Sequence, residues 1–125
     1  MRWTTAFICL AAMLAMVVSA PLRADAAQLV MMEQPGCPWC ARFNEEIAPA
    51  YATTEEGARA PLRRVDITGP WPQDLAHVAI ERFTPTFVLV EDGREVGRIR
   101  GYPGDEFFWY LLGDLIAKLD ETEAE

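Results

Sequence analysis

The stretch Gln28-Leu29-Val30-Met31-Met32-Glu33-Gln34-Pro35-Gly36-Cys37-Pro38-Trp39-Cys40 decides how this chain is read. Gln28 to Met32 is a short apolar run of the kind that forms a buried strand. Pro35-Gly36 ends it. From Cys37 the apolar positions recur with helical period: Phe43, Ile47 and Tyr51 stand four apart, with Ala48 beside them and Arg42, Glu45 and Glu46 on the polar side. Pro38 suits a first helical turn, where a missing N–H costs little, and Pro49 kinks or ends the helix. A cysteine at a helix start faces unsatisfied backbone N–H groups and the positive end of the dipole. Both favour the thiolate, and such places lower a cysteine pKa from about 8.5 to roughly 3.5–7.5. Cys40 lies one turn later on the same face, where it can close a disulfide with Cys37. In thiol–disulfide exchange Cys37 then attacks a substrate disulfide and Cys40 resolves the mixed disulfide.

Other uses of the pair stay open on the motif alone. A structural staple fits poorly, because so small a loop constrains the unfolded chain little. A zinc site needs two further ligands, and His77 is the one histidine. Soft thiolates also select Cu(I), with Met31 and Met32 nearby, so a copper-binding or metal-delivery module is the rival reading. Strand alternation sets those two methionines on opposite faces, which favours core packing for them. No metal and no bound cofactor is expected.

Upstream, Arg2 precedes the 15-residue apolar stretch Ala6 to Ala20. A membrane-spanning helix needs about 20 apolar residues, so the segment fits a signal-peptide core better than an anchor. Ala24-Asp25-Ala26 is the best cleavage site, making residues 1–26 a removed leader and Ala27 the first mature residue. A cut after Ala20 would place Pro21 beyond the scissile bond, and Cys9 has no lipoprotein box before it. Cleavage removes Cys9 and leaves Cys37 and Cys40 as the whole cysteine inventory of a 99-residue chain carrying −9. Export places the pair in an oxidising compartment such as a bacterial periplasm. The full 125-residue chain carries −8 at 51% hydrophobic composition. That is room for one domain, too apolar for disorder and without the basic surface of a nucleic-acid binder.

Downstream, Thr53 to Pro61 reads as a polar connection and Leu62 to Ile67 as a second strand. Gly69-Pro70-Trp71-Pro72 punctuates the chain, and Gln73 to Phe83 reads as a short helix with Leu75, Val78 and Ala79 inward. Thr86 to Val90 is strongly β-like, Glu91-Asp92-Gly93 is a turn, and Arg94 to Arg100 returns as a strand. Alternation puts Arg94, Val96, Arg98 and Arg100 on one face of that strand, suiting a charged sheet edge. Asp105 caps a last helix whose apolar stripe is Phe107, Phe108, Leu111, Leu112, Leu115, Ile116 and Leu119. The domain therefore spans 27–119, and 120–125 is an acidic tail expected to be disordered. The order β-α-β-α-β-β-α fits an α/β fold, a small mixed sheet flanked by helices.

With Phe83-Thr84-Pro85-Thr86-Phe87 added to Cys37-Pro38-Trp39-Cys40, residues 28–119 resemble the thioredoxin-like family. The resemblance implies a thioredoxin-like fold, a cis Pro85 against the active-site sulfurs, and a substrate-binding edge of Thr84 and Pro85 together with Pro38 and Trp39. Three features depart from the family pattern. Met31 stands where thioredoxins carry a buried aspartate, and Glu33 is the nearest acid in sequence. Gly36 replaces a tryptophan. The Cys-Pro-aromatic-Cys motif looks like a glutaredoxin, yet no double glycine appears near Gly101-Tyr102-Pro103-Gly104. Phe43-Asn44-Glu45-Glu46-Ile47 is similar to exported bacterial members, in particular the small periplasmic thioredoxins encoded with sulfur-oxidation (Sox) genes. That likeness implies a reductant acting on protein thiols or disulfides, with a Sox subunit as partner and electrons from a membrane thiol–disulfide transporter; with no second oligomerisation segment to read, a monomer is expected. General isomerase or oxidase activity is the alternative within the family.

Four further features read as structural. Trp71 is expected to pack on the domain edge, Trp109 and Tyr110 to be partly buried, and His77 to lie at the surface. Arg63, Arg64, Arg94, Arg98 and Arg100 are expected on solvated faces, where a local basic patch could orient an acidic partner.

Overall fold

The computed structural model describes residues 27–124, so the leader expected over 1–26 lies outside the described residues. Four strands, β1 (Gln28–Glu33), β2 (Leu62–Asp66), β3 (Thr86–Glu91) and β4 (Arg94–Arg100), form one sheet in the order β2-β1-β3-β4. β2 runs parallel to β1, while β3 is antiparallel to both β1 and β4. Between β1 and β2 lie α1 (Pro38–Glu46), α2 (Ala48–Tyr51) and α3 (Glu55–Arg59); α4 (Asp105–Glu123) closes the chain. The mixed sheet with flanking helices is the expected fold class.

The break between α1 and α2 falls where Pro49 requires it, since proline cannot donate to a helical carbonyl. α3 lies in the stretch expected to be a connection. Thr54 caps it, its hydroxyl accepting from Gly57 N–H at 3.0 Å and donating to Tyr51 C=O at 2.7 Å. Thr followed by two glutamates is a helix-start signal, so this element was legible. Gly57 is required there, because a Cβ would stand 1.9 Å from Tyr51 O.

The helix expected over Gln73–Phe83 is instead one 3-10 turn, Gln73–Leu75, followed by irregular chain. Leu75 and Val78 are buried as expected, but Ala79 is exposed. A spacing of three satisfies either helix type. One local and one long-range contact hold the irregular course: Trp71 Nε1 donates to Leu75 C=O at 2.9 Å, and Glu81 N–H reaches Met32 Sδ, 49 positions away, at 3.2 Å. Trp71 thereby packs on the second core face, as expected.

β4 is an edge strand, but its arginines do not share one face. Val90 pairs with Glu95 and Leu89 with Gly97, so Val96 is an extra residue in a bulge. Val96 packs on the core face of Leu29, Met31, Phe87 and Leu89, whereas Arg98 and Arg100 register with Val88 and Thr86 on the opposite face. Nor do these cations form a free basic patch. Arg63 pairs with Asp74, Arg64 with Glu33, Arg98 with Glu95 and Arg100 with Glu81.

α4 starts at Asp105, with Gly104 as the cap residue and no side-chain cap bond, so Asp105 is not the cap. Phe108, Leu112, Leu115 and Leu119 are buried, while Phe107 is 65% exposed. The helix runs to Glu123, into the stretch assigned to a disordered tail, and Arg59 pairs with Asp120 at 2.5 Å. Phe43 joins α1 to the sheet and to α4, with ring centroids 4.8 Å from Phe87 and 5.3 Å from Phe108. Trp109 is partly buried and stacks on Tyr51 at 5.9 Å, while Tyr110 is exposed.

Candidate active site

Three chain segments meet around the cysteine pair. In the first, β1 ends at Glu33 and the Pro35-Gly36 turn delivers Cys37 to the cap position of α1, Gly36 taking φ +74°. Cys37 Sγ accepts from Cys40 N–H at 3.1 Å, with Pro38 in the first turn. The sulfur thus occupies the electropositive helix start that its sequence position predicts. Cys37 and Cys40 are joined in a disulfide, with Cα atoms 5.2 Å apart. Cys37 is half-buried, whereas Cys40 is 5% exposed and packs in the core with Met31 and Phe43. An incoming sulfur can reach Cys37 but not Cys40.

The second segment is Phe83-Thr84-Pro85, whose Thr84–Pro85 bond is cis, as the family likeness implies. Thr84 N–H and C=O make no hydrogen bond among the described residues, although Thr84 is buried. An unpaired backbone donor and acceptor at a chain edge can add an extended peptide. Phe83 is held open to solvent beside it: its N–H donates to Glu81 Oε1 at 3.2 Å and Arg100 lies 4.3 Å over its ring. In the third segment, Gly101 N–H donates to Pro85 C=O at 2.8 Å.

Tyr102, next in the chain, ties that third segment to α1. Its hydroxyl donates to Glu46 Oε2, and Arg42 Nε donates to Glu46 Oε1 at 2.6 Å. Arg42 also lies 5.7 Å over the ring of Trp39, which is 50% exposed beside Cys40. The Tyr102 hydrogen bond, then Arg42, holds the Glu46 carboxyl below the usual range. Burial and the Glu46 bond push the Tyr102 hydroxyl up. A carboxyl depressed on folding contributes stability that is complete above its unfolded pKa of about 4.3 and is lost as pH falls through the folded value. Tyr102→Phe removes the larger cause. Urea midpoints of the variant should therefore lie below wild type at neutral pH and converge with it on acidification. Parallel curves would refute this.

A cleft of about 510 Å³ opens beside the disulfide, lined by Glu33, Gln34, Cys37, Cys40, Asn44, Arg64 and Asp66 among others. Met31 is buried at the place of the family's aspartate, so no acid lies beneath Cys40 there. Glu33 does line the cleft, but Arg64 binds both its carboxylate oxygens, at 3.1 and 3.2 Å through Nε, and donates to Asn44 as well. Met31 and Met32 fall in opposite cores, so they do not converge on the sulfurs. Among the described residues no group of three or more His, Cys, Asp or Glu could hold a metal ion. His77 is exposed, as expected.

Thus Cys37 caps α1, Pro38, Trp39 and Cys40 form its first turn, and Thr84 and Pro85 stand just before β3, tied to the cysteine segment through Gln34. Gln34 is the residue that sequence reading passed over. Its Nε2 donates to Thr84 Oγ1 at 2.9 Å. Nothing local marks it, because its partner lies 50 positions away.

A sheet of this order, with a disulfide-bonded cysteine pair at a helix start and a cis-proline before the third strand, defines a thioredoxin-like protein. The thioredoxin-like domain model matches residues 17–116, and the chain belongs to that family; it is a thiol–disulfide oxidoreductase. Among solved structures it is similar to the periplasmic thioredoxin SoxS from Paracoccus pantotrophus in its reduced form. That likeness has 47% identity and a TM-score of 0.71, covering 74% of this chain and 98% of that one. The thioredoxin Mala s 13 of Malassezia sympodialis (20% identity, TM-score 0.54, 74% and 76% covered) shares the fold. So does Trxlp of Edwardsiella tarda EIB202 (23%, 0.53, 71% and 84%). No curated protein sequence matches the chain.

Proposed function

We propose that the protein is a periplasmic reductant that keeps a thiosulfate-oxidising Sox system active by acting on a disulfide or thiol adduct of a Sox subunit. The observation carrying this reading is the asymmetry of the cysteine pair, with Cys37 reachable at a helix start and Cys40 buried behind it. The 47% identity to a periplasmic thioredoxin named SoxS supports the compartment and the partner.

In the reduced protein the Cys37 thiolate attacks one sulfur of the substrate disulfide. The Cys37–substrate bond forms as the substrate bond breaks, and the departing sulfur takes a proton. Cys40 then loses its proton and attacks Cys37 Sγ. This closes Cys37–Cys40 and frees the second substrate thiol. The substrate gains two electrons and two protons. A membrane thiol–disulfide transporter returns them to the pair. Pro38 and Trp39 border the approach, and the Thr84–Pro85 edge receives the substrate backbone. The protein works as a monomer.

Cys40→Ser, expressed in the native host, should hold partners on Cys37 as mixed disulfides that a reductant releases. A Sox subunit among them is the expected result. Recovery of unrelated partners alone would overturn the Sox role and leave general redox maintenance. A reduction potential near about −120 mV, that of a strong oxidase, would overturn the reductase direction.

A further inference from the structure

We propose that Gln34 is a positioning residue for substrate docking, acting through Thr84 and not through the sulfurs. The inference rests on the reading of Thr84 as the edge that receives substrate backbone. Thr84 follows an irregular segment, and its own N–H and C=O are unpaired, so no backbone ladder holds it in register. Its side chain is what anchors it from the cysteine side. The Gln34 amide donates to Thr84 Oγ1 at 2.9 Å, half-buried, and Gln34 itself stands directly before the Pro35-Gly36 turn that delivers Cys37.

Gly101 N–H on Pro85 C=O and Thr86 Oγ1 on Phe83 C=O fix the flanking residues, and the Gln34 bond ties Thr84 itself to the segment that carries the attacking sulfur. Gln34 also lines both the cleft at Cys37 and a second one bounded by Ile67, Thr68, Ile80 and Arg82. Gln34 is the residue these two clefts share, and it is bonded to Thr84. Glu33 next to it is engaged by Arg64, and Gln34 has no other hydrogen-bond partner among the described residues. Its amide thus has a single job, and no contact with Cys37 Sγ or Cys40 Sγ is part of it.

The test uses full-length reduced protein with insulin as the disulfide probe and dithiothreitol as electron source. Gln34→Met keeps the side-chain length and removes the donor; Thr84→Val removes the acceptor. One hydrogen bond of ordinary net strength predicts a rise in KM of about 3- to 10-fold in either variant. The double variant should be no worse than the singles. The kcat, the alkylation rate of Cys37 by iodoacetamide and the potential against glutathione should not move. A merely structural role would lower the melting temperature without this split. An unchanged KM, additive effects, or a changed alkylation rate would each overturn the proposal.

Amide exchange separates the two layers. In the mixed disulfide of Cys40→Ser with a cysteine peptide, Thr84 N–H should be protected, and less so with Gln34→Met added. No protection without the Gln34 change refutes the docking edge itself. Protection equal in both proteins refutes the role of Gln34 alone.

Discussion

Cys37→Ala should have no disulfide-reducing turnover above that of the reductant alone, while Cys40→Ser should complete one attack and stop. The two losses differ in kind because the two sulfurs stand in different places. Cys37 Sγ is half-buried at the start of α1, where it accepts a backbone N–H, and the helix end stabilises its thiolate. Cys40 is enclosed among Met31 and Phe43, so it can attack only a sulfur already bonded to Cys37. Single-turnover mass spectrometry with insulin checks this. Wild type should leave one insulin disulfide reduced per protein oxidised, Cys40→Ser should accumulate an adduct of one insulin molecule per protein, and Cys37→Ala should form none. An adduct on Cys40 in Cys37→Ala would overturn the assignment of nucleophile. An equal rate of attack by both cysteines would overturn the asymmetry on which the proposed function rests.

Phe43→Ala should destabilise the fold by about 3–5 kcal/mol, the range for emptying a buried phenylalanine site. Phe43 is fully buried and touches Phe87 on the sheet, Phe108 on α4 and Tyr102 on the loop after β4. A small domain has about 5–15 kcal/mol in total, so one side chain holds a large share. The melting temperature should fall by on the order of 20 °C. Phe107→Ala is the internal comparison: it is 65% exposed on the same stripe, and a surface change stays within about 0.5 kcal/mol. Thermal unfolding of both oxidised variants by circular dichroism gives the answer. Similar melting temperatures would show that α1 is not anchored through Phe43. Because α1 carries both cysteines, the same variant should also lose activity below its melting point.

Much of the architecture was legible where the pattern is local. β1, β3, β4 and the stripe of α4 follow from runs and periods that neighbouring residues display. The Gln73–Phe83 helix did not form, because apolar residues three apart also suit a 3-10 turn and Trp71 claims the Leu75 carbonyl. The face of β4 was misjudged because a bulge at Val96 depends on the register against β3, which alternation within one strand cannot contain. α3 is announced by Thr54-Glu55-Glu56, inside a stretch whose polar, Gly-containing composition reads as a connection. The arginines do lie on solvated faces, but Arg63, Arg64 and Arg100 are each matched to a carboxylate from another segment, which a local pattern does not display.

The residues alone located the reactive pair. Two cysteines one helical turn apart at a strand-to-helix junction place a sulfur at a helix start, and that placement needs nothing beyond local backbone geometry. Tertiary structure settled which sulfur an incoming disulfide can reach, by burying Cys40 in the core and leaving Cys37 open. It also settled how the Thr84–Pro85 segment is held, since Gln34 and Thr84 meet across 50 positions of sequence. Contacts of that kind arise only when the sheet brings the ends of β1 and β3 side by side, and a one-dimensional pattern carries no distance between them.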